Sequence, residues 1–198
     1  MTNDNYKKKI SKEEVNELPL FDYRGEIVVV ENEHQADAAL NLLLLEEVLG
    51  FDTESRPSFK KGEYYPVSLL QFSNATTAFL FRMHKIQFSP KLIDLLESPH
   101  IVKAGVALNN DLMELKKLKK FVDKGFVELH DLSGQLKVKN QGLRSLAAIF
   151  LNIRISKAAK LTNWENNDLS QAQLKYAATD AWVGRELYRI MRSLGTQT

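Results

Sequence analysis

Three short apolar runs follow one another at residues 48–54, 67–72 and 77–81 with no helix-length segment between them. Runs of that length bounded by turn residues read as strands, and the last two, around Ser73-Asn74-Ala75-Thr76, read as a hairpin. The stretch between the first two, SRPSFKKGEYYP, is a loop by its Pro, Gly and Ser content. Three successive strands require a sheet, and the flanking segments indicate what covers it. Before them stands a β-branched run at 26–31, then an Ala- and Leu-rich helix. Asn32 caps that helix with Gln35 as its capping-box partner, and it extends to about residue 47, with Gly50 as the breaker. After them the spacing predicts a helix from Pro90 to about 98, a buried strand at 100–106 and a helix to about 121 capped by Asn109 or Asn110, with Leu112, Leu115 and Leu118 on one stripe. A strand at 126–132, a short helix at 142–151 and an irregular connection at 152–169 follow. Ser170 and Gln173 form a capping box that opens the last helix, and Gly195 stands where a C-cap glycine belongs. The pattern predicts an α/β fold, a mixed sheet with helices on both faces.

Hydrophobic residues are 44% of the 198, and 27 Lys+Arg against 25 Asp+Glu leave a net charge of +2, which excludes intrinsic disorder. One domain over 1–198 is expected, with a core at about 20–195 and a polar, lysine-rich arm or short first helix at 1–18. The absence of cysteine rules out disulfides, a thiolate nucleophile and cysteine-ligated metal. The N-terminal residues contain no signal-peptide core, and the greasiest stretch, at 40–45, is too short to span a bilayer. The expectation is a soluble cytoplasmic protein with no membrane partner.

Chemistry-bearing residues fall in three places. Asp52 and Glu54 are one residue apart near a strand end, so both carboxylates project from the same face. At about 4 Å such charges repel by roughly 4 kcal/mol, and the pair calls for a cation or a shared proton. Tyr176 and Asp180 are one turn apart on the last helix, with small Ala177 and Ala178 between them. Asp111 opens a helix directly after a buried strand, where ligand sites gather in α/β sheets. Each observation alone also has an ordinary explanation: a solvated strand terminus, a packed tyrosine beside an exposed acid, an acid favoured by the helix dipole.

Taken together, strand-end Asp-x-Glu, helix-start Asp and C-terminal Tyr-x-x-x-Asp resemble the DEDDy 3′–5′ exonucleases, the family of ribonuclease D and of the Werner syndrome helicase exonuclease domain. GFDTESRPSF, VSLLQFS, AGVALNNDLMEL, HDLS, GLRSLAAIFLN, ISKAAKLTNWE and LSQAQLKYAATDAWVGRELY are all similar to family segments, in family order, across roughly residues 20–195. The resemblance implies a ribonuclease H-like fold with a five-stranded mixed sheet. It implies two divalent cations, Mg²⁺ or Mn²⁺, held by Asp52, Glu54, Asp111 and Asp180. Asp52 would bridge both ions, Glu54 and Asp180 would serve the one carrying the attacking water, and Asp111 would serve the second, through water. Tyr176 would position that water, a role that suits a phenol of ordinary pKa about 10 better than general-base work does. The implied function is hydrolysis of single-stranded or 3′-recessed nucleic acid from its 3′ end to nucleoside 5′-monophosphates. The alternative is a nucleic-acid-binding module that keeps the fold and little activity. Full ribonuclease D proteins carry further helical domains that this sequence lacks after Gly195, so a stand-alone exonuclease domain is expected.

Other residues carry less. Met113, two residues after Asp111, suits either a terminal base or the core. Lys157 and Lys160, and also Lys60 and Lys61, could contact phosphates. Trp164 is expected to anchor its irregular segment, His130 and Asp131 to sit at a strand end, and Lys116, Lys117, Lys119 and Lys120 to form a solvated face.

Overall fold

A computed structural model describes residues 6–195; residues 1–5 of the expected arm, and 196–198, lie outside the described residues. The first half of the chain forms α1 (Lys12–Glu17), β1 (Leu20–Phe21), β2 (Glu26–Val30), α2 (Glu33–Leu43), β3 (Val48–Ser55), β4 (Val67–Ser73) and β5 (Thr77–Arg82). The second half forms α3 (Pro90–Glu97), β6 (Val102–Gly105), α4 (Leu108–Leu118), β7 (Phe126–Glu128), α5 (Leu129–Gln135), α6 (Leu143–Leu151), β8 (Arg154–Ile155) and α7 (Gln171–Gly195).

The main sheet has the order β2-β5-β4-β3-β6-β7, with β3, β4 and β5 antiparallel neighbours and the outer pairs parallel. It therefore has six strands, as the apolar runs indicate, and not the five that the family resemblance implies. The small parallel pair β1 and β8 stands apart from it. Side chains alternate along β3, so Leu49 and Phe51 point into a core shared with α2, α3 and α4, while Gly50, Asp52 and Glu54 face α7. Helices thus cover both faces, and among the described residues no helix is long and apolar enough to cross a membrane.

Several boundaries differ from the sequence expectation, each for a local reason. Helix α2 stops at Leu43, and Gly50 lies inside β3, where a Cβ would fall 1.7 Å from the Ala181 carbonyl oxygen. Its function is to let α7 approach the sheet. The Asn32 side chain does accept the Gln35 N–H, but the Gln35 side chain takes the Glu31 N–H instead of completing the box at Asn32. Helix α4 is not capped by Asn109 or Asn110. It starts at Leu108 after Ala107, whose φ of 62° is left-handed, and the Glu128 carboxylate accepts the Ala107 and Leu108 N–H groups. The strand expected at 126–132 ends at Glu128 because that side chain also caps α5, so His130 and Asp131 lie on a helix and are exposed. The segment before residue 18 is held down: Ile10 and Val15 are buried against Ala148, and Ser11 and Glu14 form a capping box. The capping box expected at Ser170 and Gln173 is present. The C-cap expectation for Gly195 rests on residues 196–198 and falls outside the described residues.

Candidate active site

Strand β3 delivers Asp52 and Glu54 to its C-terminal end, and the antiparallel register shifts immediately after Glu54. Such an irregularity bends a strand and ends its regular pairing, which opens space beyond the two acids. Helix α7 lies against the same face because Gly50 and Gly184 carry no side chain at the contact; a Cβ on Gly184 would sit 2.9 Å from the Ala104 carbonyl oxygen. That close approach places Asp180 over β3. One carboxylate oxygen each from Asp52, Glu54 and Asp180 lie within 4.8 Å of one another.

Asp111 joins the site differently. Thr53 points to the opposite face of β3, and its hydroxyl donates to Asp111 Oδ1 from the start of α4. Asp111 thus lines the same pocket as the three clustered acids without belonging to the cluster itself. The pocket has a volume of about 700 Å³.

The electrostatics show the strain of that arrangement. Burial, followed by the charge of Asp180, pushes Glu54 up to about 8, and burial pushes Asp180 up to about 7. Asp52 is raised well above the usual carboxylate range by burial and then by Asp180, Glu54 and Asp111. Burial raises Asp111 to about 6 against the hydrogen bond from Thr53. Lys160 is the cation whose charge eases Glu54 and Asp180. Buried carboxylates this close favour protons or a hard cation, and an all-oxygen donor set suits Mg²⁺ or Mn²⁺. The residues present therefore fit a divalent metal site.

Tyr176 lines the pocket one turn before Asp180 and is 9% exposed. Burial, then the neighbouring carboxylates, raise its phenol above the ordinary value, so it keeps its proton and can donate a hydrogen bond. Its ring packs on Trp164, with centroids 6.0 Å apart, and the fully buried Trp164 anchors the 156–169 segment as expected. Arg82, itself 1% exposed, fastens that segment from the other side by donating to the Asn166 and Asn167 carbonyls, the latter at 3.2 Å. Lys157 and Lys160, on the same segment, line the pocket, whereas Lys60 and Lys61 are exposed outside its lining.

Met113 is 54% exposed on α4 and outside the pocket lining, so it is not a core residue. Lys116 and Lys117 pair with Asp123 and Glu114 on the solvated face. Three features were missed by the sequence reading. Thr53 holds Asp111, and nothing in a one-residue spacer between two acids announces that. Gln71, cross-strand from Asp52, is fully buried, and neither amide atom has a hydrogen-bond partner among the described residues. Ile10, Ser11, Lys12 and Val15 line the pocket, and the Ser-x-x-Glu box at Ser11 was the signal that could have marked them as ordered.

A family model described as 3'-5' exonuclease matches residues 27–195. The bifunctional 3'-5' exonuclease/ATP-dependent helicase WRN of Mus musculus is 32% identical over 155 residues, 75% of this chain and 11% of that protein. Ribonuclease D of Haemophilus influenzae is 29% identical over 154 residues, 76% of this chain and 38% of that protein. The chain thus spans well under half the length of either relative. The crystal structure of the Aedes aegypti Nibbler EXO domain superposes with a TM-score of 0.80, covering 89% of this chain and 93% of that one at 20% identity, which speaks to the fold. With the matched region running from β2 to the end of α7, and with ribonuclease D and the WRN exonuclease among its relatives, the chain belongs to the 3'-5' exonuclease family.

Proposed function

We propose that this chain is an active 3′–5′ exonuclease that removes nucleoside 5′-monophosphates from the 3′ end of single-stranded or recessed nucleic acid, with residues 1–198 acting as one domain. The observation that carries the reading is the meeting of Asp52, Glu54 and Asp180 in one pocket, from two elements far apart in sequence. Asp52, Glu54 and Asp180 would hold a divalent cation, and Asp52 with Asp111 would serve a second. When bound, such cations supply an activated water and neutralise the charge that develops on the leaving oxygen. The carboxylates orient that water and fix where the reacting phosphate sits. Thr53 keeps Asp111 turned toward the pocket. Tyr176, kept protonated by its surroundings, donates from Oη to hold the attacking water in line, and the phenolate that general-base work would need is scarcely populated. Lys160, whose field reaches Glu54 and Asp180, and Lys157 beside it, offer ammonium groups to substrate phosphate oxygens.

The test is turnover of end-labelled single strands and recessed duplexes, as RNA and as DNA, with and without Mn²⁺. Release of 5′-mononucleotides only in the presence of metal is expected. Tight binding without cleavage at any metal concentration would support a binding module instead. Tyr176→Phe is expected to lower kcat by about 10²-fold, the scale of one well-placed hydrogen-bond donor, while the metal-induced rise in melting temperature persists. Parent-like kcat in Tyr176→Phe would remove the water-positioning role.

A further inference from the structure

The region matched by the family model begins at residue 27, yet part of the pocket is built by residues before it. Ile10, Ser11, Lys12 and Val15 line the cavity together with Arg144 and Ser145 at the start of α6. This wall is fixed in place. Ile10 donates its N–H to Asn140 Oδ1 at 2.9 Å, and Lys139 donates its N–H to the Lys8 carbonyl at 2.8 Å. One Arg144 guanidinium nitrogen donates to Asn16 Oδ1 at 2.7 Å, while its Nε is buried with no hydrogen-bond partner among the described residues. Lys12 is exposed and makes no ion pair among the described residues, whereas Lys7, Lys116 and Lys117 each do.

The pocket therefore has two kinds of wall. The acids, with Lys160 beside them, stand on β3, α4 and α7. The polar side chains that line the second wall, at α1 and the start of α6, are Ser11, Lys12, Arg144 and Ser145, while Glu13 and Glu14 of α1 stay outside the lining. A polyanion whose terminal linkage sits at the acids needs cationic groups for the phosphates farther along the strand, where no metal can neutralise them.

From this we infer that the N-terminal segment, through Lys12 and with Arg144 of α6, forms a backbone-phosphate subsite for nucleotides upstream of the scissile linkage, so that this chain reads strand length with a wall completed by residues that precede the matched family region. The inference rests on the exonuclease reading, since it places the strand's 3′ end at the acids. The contacts are to phosphates, so they hold RNA and DNA alike.

The probes are a fluorescein-labelled oligothymidine heptanucleotide and the corresponding dinucleotide, with binding followed by anisotropy in EDTA across a series of salt concentrations. Loss of one phosphate contact lowers the single-strand salt slope by about 0.7, which corresponds to about fivefold weaker binding at ~0.1 M salt. Lys12→Gln is expected to show that change with the heptanucleotide and a smaller one with the dinucleotide. Arg144→Gln adds a second increment, and Arg144→Lys restores the slope. Lys91→Gln, on α3 and paired with Asp37, is the control and leaves binding unaltered. An unchanged slope in Lys12→Gln, or equal weakening of both strand lengths, overturns the subsite. Cleavage distinguishes this from failure of the exonuclease reading. If the parent chain cleaves neither strand in Mn²⁺ but Lys12→Gln still lowers the slope, the wall stands and the activity falls. If cleavage is intact and the slope does not move, the reverse holds.

Discussion

Asp180→Asn is expected to abolish cleavage and, at the same time, to make the metal-free protein more stable at pH 8. The two effects have one cause. Glu54 and Asp180 ordinarily titrate near 4.5 and 3.8 but are held at about 8 and about 7 in the folded chain. Between about pH 4 and 8 the folded state therefore binds protons that the unfolded state has released, and stability falls as pH rises through that window. Asparagine keeps the shape of the neutral acid and removes one of the repelling charges. A gain on the order of 3 kcal/mol at pH 8, or about 6–12 °C in Tm, is expected, shrinking as the pH falls toward about 4. Mn²⁺ should raise the Tm of the parent by about 5–10 °C at pH 8, less at pH 5.5, and little in Asp180→Asn. Cleavage should fall by about 10³-fold, the rate equivalent of about 4 kcal/mol of lost charge stabilisation. Thermal melts at both pH values, with and without metal, check all of this. A lower Tm of Asp180→Asn at pH 5 and pH 8 alike would show that Asp180 holds the structure together instead of burdening it.

Gly50→Ala should damage both fold and activity although it adds only one methyl group. A Cβ at residue 50 meets the Ala181 carbonyl oxygen at 1.7 Å and the Arg185 nitrogen at 2.9 Å. Both are backbone atoms of α7, so no side chain can swing aside, and the helix must lift or slide. Overpacking of this kind costs about 3 kcal/mol or more, a fall of about 6–12 °C in Tm. Asp180 precedes Ala181 in the chain, so it moves with the contact, and a displacement of about 1 Å at a reacting group costs about 10² in rate. Gly134→Ala, on α5 with open space around the new methyl, is the matched control and should be neutral or slightly stabilising. Equal stability of Gly50→Ala and the parent would mean that α7 is not locked to β3 at this point.

Elements with strong local signals were legible in the sequence. The hairpin of β4 and β5, the proline-led α3 and the capped start of α7 appear where turn residues and caps place them. Where a side chain from elsewhere supplies the cap, the reading moved: Glu128 starts α4 from twenty residues downstream and cuts β7 short, and no local pattern encodes that. Gly50 reads as a helix breaker because a glycine's permissiveness is visible in sequence, whereas the helix that needs its missing side chain lies more than a hundred residues away.

The candidate site divides in the same way. Asp52 and Glu54 share a face because strand side chains alternate, and Tyr176 and Asp180 share one because helical residues four apart stack; both follow from backbone periodicity and needed no coordinates. Tertiary packing alone decided that these two pairs meet, that Asp111 stands across β3 on the hydroxyl of Thr53, and that Ile10, Ser11, Lys12 and Val15 line one side of the pocket. Periodicity acts over a few residues and is written in the local pattern. The distance between Asp52 and Asp180 depends instead on how closely a helix can press on a sheet, which two glycines and their neighbours set only once the chain has folded.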